Sequence, residues 1–164
     1  METRSDSDFV RDLAYLALGT RFKRLGDLLQ AGVAEAFAVR GVGLLPSQVP
    51  IMVALRRRPG LGISELVDQL GISQPAVSRA AGTLRRQGIL VLAADPNDRR
   101  SRSAMLTRKG EQALAALEAA MFGRIAAAAE ELCADLGSPL LAQLEQVENR
   151  LKTERFAARL ERQR

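Results

Sequence analysis

Residues 64–88 have the sequence SELVDQLGISQPAVSRAAGTLRRQG, in which two short helical patterns are separated by about three residues. Gly71 follows the first pattern, and glycine often ends a helix because it adopts a left-handed backbone without steric cost. Ser64 and Ser73 are the candidate N-caps of the two helices, and Pro75 is tolerated in the first turn of the second. So short a connection forces a sharp angle between them, which predicts a helix-turn-helix.

The two helices must bury a shared apolar seam while the outer face of the second helix stays polar. The predicted inward positions are Leu66, Val67, Leu70, Ile72, Val77, Ala80 or Ala81, and Leu84. The predicted DNA-binding residues at the start and on the outer face of the second helix are Ser73, Gln74, Pro75, Ser78, Arg79, Thr83 and Arg86. Arg79 can read guanine bidentately, and Ser73 lies at a helix N-terminus, where phosphate is readily bound.

A β-hairpin is predicted directly after this motif. Residues 89–92 are a β-type apolar run, residues 95–98 form a turn signal, and residues 102–106 resume an extended segment. The predicted DNA-binding residues of this wing are Asp98, Arg99, Arg100 and Arg102. An arginine there can enter the minor groove, and Asp98 is interpreted as a carboxylate that orients a neighbouring arginine.

The excess positive charge is confined to the same region. Residues 74–110 contain eight basic and two acidic residues, whereas the rest of the 164-residue chain contains 16 basic and 17 acidic ones. The net charge of +5 therefore arises from one block of 37 residues. Such a distribution is typical of a protein that binds a polyanion.

Long helices are predicted on both sides of the motif. Helical patterns cover about residues 8–39, with Ser7 or Asp8 as the cap, residues 47–58, and residues 107–136, with Thr107 as the cap. A last helix of about 24 residues after Pro139 is expected to span roughly 36 Å. One small domain cannot cover the apolar faces of these terminal helices, so we expect a second copy of the chain to do so.

Composition excludes several classes of function. The chain has no histidine and one cysteine, Cys133, so we expect no zinc site, no catalytic triad, no cofactor and no enzymatic activity. We interpret Cys133 as a small apolar residue on a helix rather than a redox sensor. The sequence has neither an apolar run long enough to cross a bilayer nor a secretory signal, so the expected location is cytoplasmic, without a membrane partner.

The helix-turn-helix segment, followed by DPNDRRSRSAMLTRKG at residues 95–110, resembles the MarR family of bacterial transcriptional regulators. The most specific element is the wing motif, Asp95, Asp98, Arg99 and Arg100, followed by Leu106-Thr107. The resemblance implies a mainly α-helical fold with a small β-hairpin wing, namely a winged helix-turn-helix plus a long-helix dimerisation region. The expected regions are residues 1–43 and 107–164 for dimerisation and residues 44–106 for DNA binding.

The resemblance also implies a homodimer that binds double-stranded DNA at a palindromic operator, most simply as a repressor. A small aromatic or lipophilic effector is expected between the dimerisation and DNA-binding lobes. Two departures from the family pattern are Leu92-Ala93, where basic residues are common, and Ala81-Gly82 in the recognition helix. The family's peroxide sensors have a reactive cysteine near the N-terminus, a position that Cys133 does not match.

Two other functions compete with this interpretation. An effector-independent or architectural winged helix would protect many DNA sequences in footprinting rather than one palindrome. An enzyme is the weakest alternative, because the sequence has no nucleophile motif and no glycine-rich phosphate loop, so that activity would depend on scattered carboxylates.

Overall fold

The structure is a computed structural model that describes residues 8–94 and 102–163. It is mainly helical with a small antiparallel sheet, which confirms the predicted fold class. The helices are α1 (Phe9–Asp12), α2 (Leu18–Val39), α3 (Val49–Arg57), α4 (Ile63–Leu70), α5 (Gln74–Arg86), α6 (Arg108–Leu117), α7 (Gly123–Cys133), α8 (Leu140–Thr153) and α9 (Phe156–Glu161). The strands are β1 (Leu61–Gly62), β2 (Leu90–Ala94) and β3 (Arg102–Leu106). Short 3₁₀ turns cover Ala14–Ala17 and Pro46–Gln48, and a π-helical segment covers Glu118–Phe122.

The chain divides into two compact units, Met1–Ala119 and Ala120–Arg164. The first unit contains α1 to α6 and the sheet, and the second contains α7, α8 and α9. Within the described part of the chain, no helix is both long and apolar enough to cross a membrane.

The core of the first unit lies beneath the helix-turn-helix. Met52 of α3, Leu66 of α4, Val77 and Leu84 of α5, and Leu114 of α6 are all fully buried. Each such side chain contributes about 1.5–3 kcal/mol of hydrophobic stabilisation relative to an exposed one. Their burial packs α3 against α4 and α6, and α4 against α5.

The predicted hairpin is present and has one strand more than expected. Strands β2 and β3 pair antiparallel from Leu90 opposite Leu106 to Ala94 opposite Arg102, and β1 pairs with the other edge of β3. Because β1 leads directly into α4, this helix begins at Ile63 with Gly62 as its N-cap residue. The prediction of Ser64 as the N-cap was therefore wrong, and the Glu65 carboxylate accepts the Gly62 N–H at 2.8 Å instead.

The first predicted helix is broken near its start. Ala14 has a φ of 46°, a left-handed conformation that interrupts the helix between α1 and the following 3₁₀ turn. Asp8 is the N-cap residue of α1, but its carboxylate does not cap the helix. It accepts a hydrogen bond from Arg24 Nη2 at 2.5 Å, and this bond lowers the pKa of Asp8.

The two C-terminal helical predictions also need correction. Thr107 caps α6 as predicted, with its Oγ1 accepting the Gly110 N–H at 3.1 Å. The long helix that it begins contains the π-helical segment and reaches Cys133 rather than Leu136. The last helix is divided at Glu154, where the backbone is extended. Arg159 Nη2 donates to the Arg150 carbonyl at 3.0 Å, which stabilises the end of α8 at this break.

Candidate nucleic-acid interface

The turn between α4 and α5 has the geometry that a helix-turn-helix requires. Gly71 has a φ of 63° and its N–H donates to the Val67 carbonyl at 2.9 Å, which ends α4. Ser73 is the N-cap residue of α5 by backbone conformation, although its side chain makes no capping hydrogen bond. Its exposed hydroxyl therefore stays free to contact a ligand at the helix N-terminus.

Helix α5 has one buried and one exposed face. Val77, Ala81 and Leu84 are at most 2% exposed and recur at a spacing of three to four residues. Of the two alternatives left open by the sequence, Ala81 is therefore the seam residue, while Ala80 is half-buried. On the opposite side, the predicted DNA-binding residues of intermediate or greater exposure are Gln74, Pro75, Ser78, Arg79, Thr83 and Arg86.

Two of these residues are already engaged with their own helix. Arg86 Nη2 donates to Thr83 Oγ1 at 2.9 Å, and this hydroxyl in turn donates to the Arg79 carbonyl at 3.1 Å. The Arg79 guanidinium, by contrast, makes no hydrogen bond or ion pair with any described residue. It is therefore the arginine of this helix that is most available to a base edge.

The C-terminal end of α5 is held by contacts that the sequence did not predict. Gln87 Nε2 donates to the Gly43 carbonyl at 3.1 Å, and Lys109 Nζ donates to the Gln87 carbonyl at 2.8 Å. Thr107 Oγ1 donates to the Gly88 carbonyl at 2.7 Å. Lys109 belongs to the basic block, but here it satisfies the carbonyl end of a helix, where a cation is favoured. These contacts fix the orientation of α5 relative to the base of the hairpin.

The tip of the wing lies largely outside the described residues. Asp95, Asp98, Arg99 and Arg100 belong to the segment 95–101, so their predicted roles stay predictions. Arg102 begins β3 and pairs with Ala94, but its side chain is also outside the described part. The hairpin that carries them starts beside the end of α5, as a wing requires.

Comparison with known proteins identifies this architecture. The sequence model of the MarR family matches residues 42–101, which include the helix-turn-helix and most of the hairpin. A protein of Thauera aromatica described as a putative transcriptional regulatory protein for the hcr operon is 29% identical over 116 residues, covering 67% of this chain and 70% of the relative. The winged helix-turn-helix region of the chain is therefore similar to the MarR family.

Two solved structures show the same fold bound to DNA. The transcriptional repressor CouR, bound to a 23-mer DNA duplex, is 28% identical with a TM-score of 0.62, covering 86% of this chain and 95% of CouR. A mutant MarR from E. coli in complex with operator DNA is 19% identical with a TM-score of 0.69, covering 88% and 99% of the two chains. Together with the match of the family model, these likenesses support a DNA-binding transcriptional regulator of the MarR type.

One arginine outside the basic block is structural. Arg56, at the end of α3, forms a bidentate ion pair with Glu118 through bonds of 2.8 and 2.9 Å. The hydrogen bond from Arg56 lowers the pKa of Glu118. The pair joins α3 to the residue that follows α6, which removes Arg56 from the arginines available to phosphate.

We expect this ion pair to stabilise the fold at neutral pH and to be lost in acid. The pKa of Glu118 is lower in the folded protein than the ordinary glutamate pKa of 4.5. The ion pair therefore stabilises the fold fully above pH 4.5, and this stabilisation disappears as the pH falls through the pKa of Glu118 in the folded protein. Glu118→Gln should lower the urea midpoint slightly at neutral pH, since both partners are partly exposed. The difference in urea midpoint between Glu118→Gln and wild type should shrink when the pH is below the ordinary glutamate pKa of 4.5. An exposed glutamate elsewhere, changed as Glu130→Gln, should show no such trend, and a pH-independent effect of Glu118→Gln would contradict the assignment.

Proposed function

We propose that this regulator is a homodimer that binds a palindromic operator as a repressor and is released by a small effector. The single observation that carries the dimer is the exposure of apolar side chains along the terminal helices. In α2, Leu25, Leu28 and Leu29 are 53%, 64% and 53% exposed, although the helix is 22 residues long. In α8 and α9, Leu141, Phe156 and Leu160 are 80%, 62% and 58% exposed.

A second copy of the chain is the simplest cover for these faces. Extended apolar surfaces of this kind mark interaction sites in proteins, and two-fold symmetric dimers are the commonest closed assemblies. In this proposal, residues 1–43 and 107–164 form the dimerisation region, and residues 44–106 form the DNA-binding region. Two-fold symmetry then presents two copies of α5 to successive major grooves, which matches a palindromic operator.

Repression and release by a ligand are supported by separate arguments. CouR is a transcriptional repressor, and it is the more similar in sequence of the two DNA-bound proteins described above. The small, often aromatic or lipophilic effector follows from the resemblance to the family. The recognition contacts in this proposal come from Ser73, Gln74, Pro75, Ser78, Arg79, Thr83 and Arg86 and from the wing residues Asp98, Arg99, Arg100 and Arg102.

The dimer is tested by introducing a charge into the exposed apolar face of α2. We expect Leu28→Glu to convert a dimer into a monomer in light scattering and to weaken binding to a two-half-site operator by at least about tenfold. Gln30→Glu adds the same charge at an exposed polar position of the same helix and should leave both measurements unchanged. A wild-type protein that is monomeric when bound to one operator would overturn the proposal. Footprints at many unrelated sequences would favour an architectural role instead.

The wing contact is tested by its salt dependence. Arg100→Ala should reduce the slope of log affinity against log salt by about 1, because each phosphate contact releases about one counterion. The measurement is a series of operator titrations at increasing salt, with Arg124→Ala, an exposed arginine of α7, as the control. A slope equal to that of wild type would remove Arg100 from the interface.

A further inference from the structure

Gln87, the C-cap residue of the recognition helix α5, contacts chain segments on both sides of the DNA-binding region. Its side-chain Nε2 donates to the Gly43 carbonyl at 3.1 Å, in the loop between α2 and α3. Its backbone carbonyl accepts a hydrogen bond of 2.8 Å from Lys109 Nζ, in the first turn of α6. Gly43 and Lys109 belong to the two regions assigned above to dimerisation, residues 1–43 and 107–164. Gln87 therefore joins the end of the recognition helix to both regions, within one compact unit.

The contact with Gly43 is the direct link between the recognition helix and the first of these regions. Within the described part of the chain, it is the only hydrogen bond that joins this region to α5 or its cap residues. α2 and α5 pack little against each other, because both rest on the 3₁₀ turn that precedes α3. The loop side of the contact is firmly held, since Phe37 is buried and its carbonyl accepts the Val42 N–H at 2.9 Å. A movement of α5 relative to α2 is therefore opposed directly by Gln87.

The side chain of Gln87 contributes little to stability at this position. Its Oε1 is buried and has no donor among residues 8–94 and 102–163. An unpaired buried oxygen destabilises the fold, because it has lost its hydrogen bonds to water without replacement. Gly43 is exposed, so water can take the place of the Gln87 amide as a donor to its carbonyl. The gain from the one hydrogen bond is thus offset by the orphaned oxygen, and what the amide provides is a fixed distance between α5 and the loop.

We propose that Gln87 is a positioning residue that fixes the angle of the recognition helix relative to α2, and thereby the half-site spacing that the dimer accepts. In a symmetric dimer held together through α2, this angle determines how the two recognition helices are separated. One base pair inserted between the half-sites turns one of them by about 35° relative to the other. A rigid junction rejects this change, and a loose junction tolerates it. The inference rests on the proposed function, because a spacing preference requires two recognition helices.

Two substitutions of Gln87 separate its donor from its contribution to the fold. Gln87→Met keeps the length of the side chain without its polar atoms, and Gln87→Lys keeps a donor for the Gly43 carbonyl. We expect Gln87→Met to weaken binding to the operator by about threefold to tenfold, which corresponds to one hydrogen bond. The loss of affinity caused by one inserted base pair should be at least about threefold smaller in Gln87→Met than in wild type. Its urea midpoint should be no lower than that of wild type, because the orphaned Oε1 is removed together with the donor.

Gln87→Lys should restore the wild-type penalty for the inserted base pair. Gln112→Met, which changes an exposed glutamine of α6, is the matched control and should behave as wild type in every titration. A wild-type penalty in Gln87→Met, or a lowered urea midpoint in that variant, would overturn the proposal. So would a Gln87→Lys protein that tolerates the insertion as Gln87→Met does.

A distance measurement within one chain tests the junction in the absence of DNA. Spin labels are attached at Gln30→Cys in α2 and Ser78→Cys in α5, both exposed positions, with Cys133 replaced by alanine. Labelled protein is diluted into an excess of unlabelled protein, so that only distances within one chain are recorded. The distribution of distances between the labels should be broader in Gln87→Met than in wild type and should narrow again in Gln87→Lys. Equal widths in all three proteins would overturn the positioning role, whether or not the chain dimerises.

The two measurements separate a failure of this inference from a failure of the proposed function. If wild type binds its operator as a monomer, the proposed dimer fails, and the spin-label distances still decide whether Gln87 positions α5. If wild type has a spacing preference that Gln87→Met retains, the proposed function stands and the role of Gln87 fails.

Discussion

Replacing Gly110 by alanine should lower the free energy of unfolding by at least about 2 kcal/mol, although alanine is the better helix former by about 1 kcal/mol. A Cβ atom at this position would lie 2.2 Å from the Ile89 carbonyl oxygen and 3.2 Å from its carbon. The obstacle is backbone, which cannot turn away as a side chain can. The same Ile89 oxygen accepts the Thr107 N–H at 2.9 Å, so the strain falls on the junction between the hairpin and α6.

The measurement is urea unfolding at equal protomer concentration, with the free energy extrapolated to water. Gly82→Ala in α5 is the matched control, because the added Cβ would meet only Arg86 Nη1, at an ordinary 3.8 Å. That change should stabilise the protein by up to about 1 kcal/mol. If Gly110→Ala lowered the free energy of unfolding no more than Gly82→Ala does, this would contradict the close approach of Gly110 to Ile89.

Arg79→Ala should weaken operator binding by about 1–3 kcal/mol and relax the preference for one base pair. Arg79 is exposed on the outer face of α5 and is not held by any described side chain, in contrast to Arg86, which donates to Thr83. A bidentate contact with guanine is the interaction that such a free guanidinium makes best in a major groove.

The affinities are compared by gel-shift titration at fixed salt, with the operator and with single-base-pair variants of it. Arg124→Ala removes an exposed arginine outside the recognition helix and should leave the preference among these duplexes unchanged. An operator affinity that is the same in Arg79→Ala and wild type would remove Arg79 from base recognition. A uniform loss on all duplexes would reassign it to a phosphate contact.

Sequence reasoning succeeded where the signals were local. Gly71 ends α4 in the left-handed conformation, Ser73 precedes α5, and Thr107 caps α6, as predicted. Gly71 and Thr107 act on backbone within a few residues of themselves, whereas Ser73 takes the N-cap conformation without a side-chain hydrogen bond. The sequence left open whether Ala80 or Ala81 belongs to the buried seam, because neighbouring residues of a helix point in directions only about 100° apart.

Predictions failed where distant segments meet. Ser64 was expected to cap α4, but pairing of Leu61 with Ala104 places β1 immediately before the helix and makes Gly62 the cap residue. A strand of two residues has no periodicity to detect. The division of the last helix at Glu154 was also missed, although the contact made there is local. Arg159 reaches back to the Arg150 carbonyl, and no apolar pattern announces such a contact.

The sequence by itself determined the helix-turn-helix, the hairpin and the concentration of positive charge around them, because turn chemistry, capping and apolar periodicity act over a few residues. Only the tertiary structure decided which polar groups remain free. Gln87 meets Gly43 across 44 residues, and Arg56 meets Glu118 across 62, which commits some basic and amide side chains to the scaffold. It left Arg79 without a partner among the described residues. Such pairings depend on how the chain packs, and packing brings together residues whose order in the sequence carries no record of their contact.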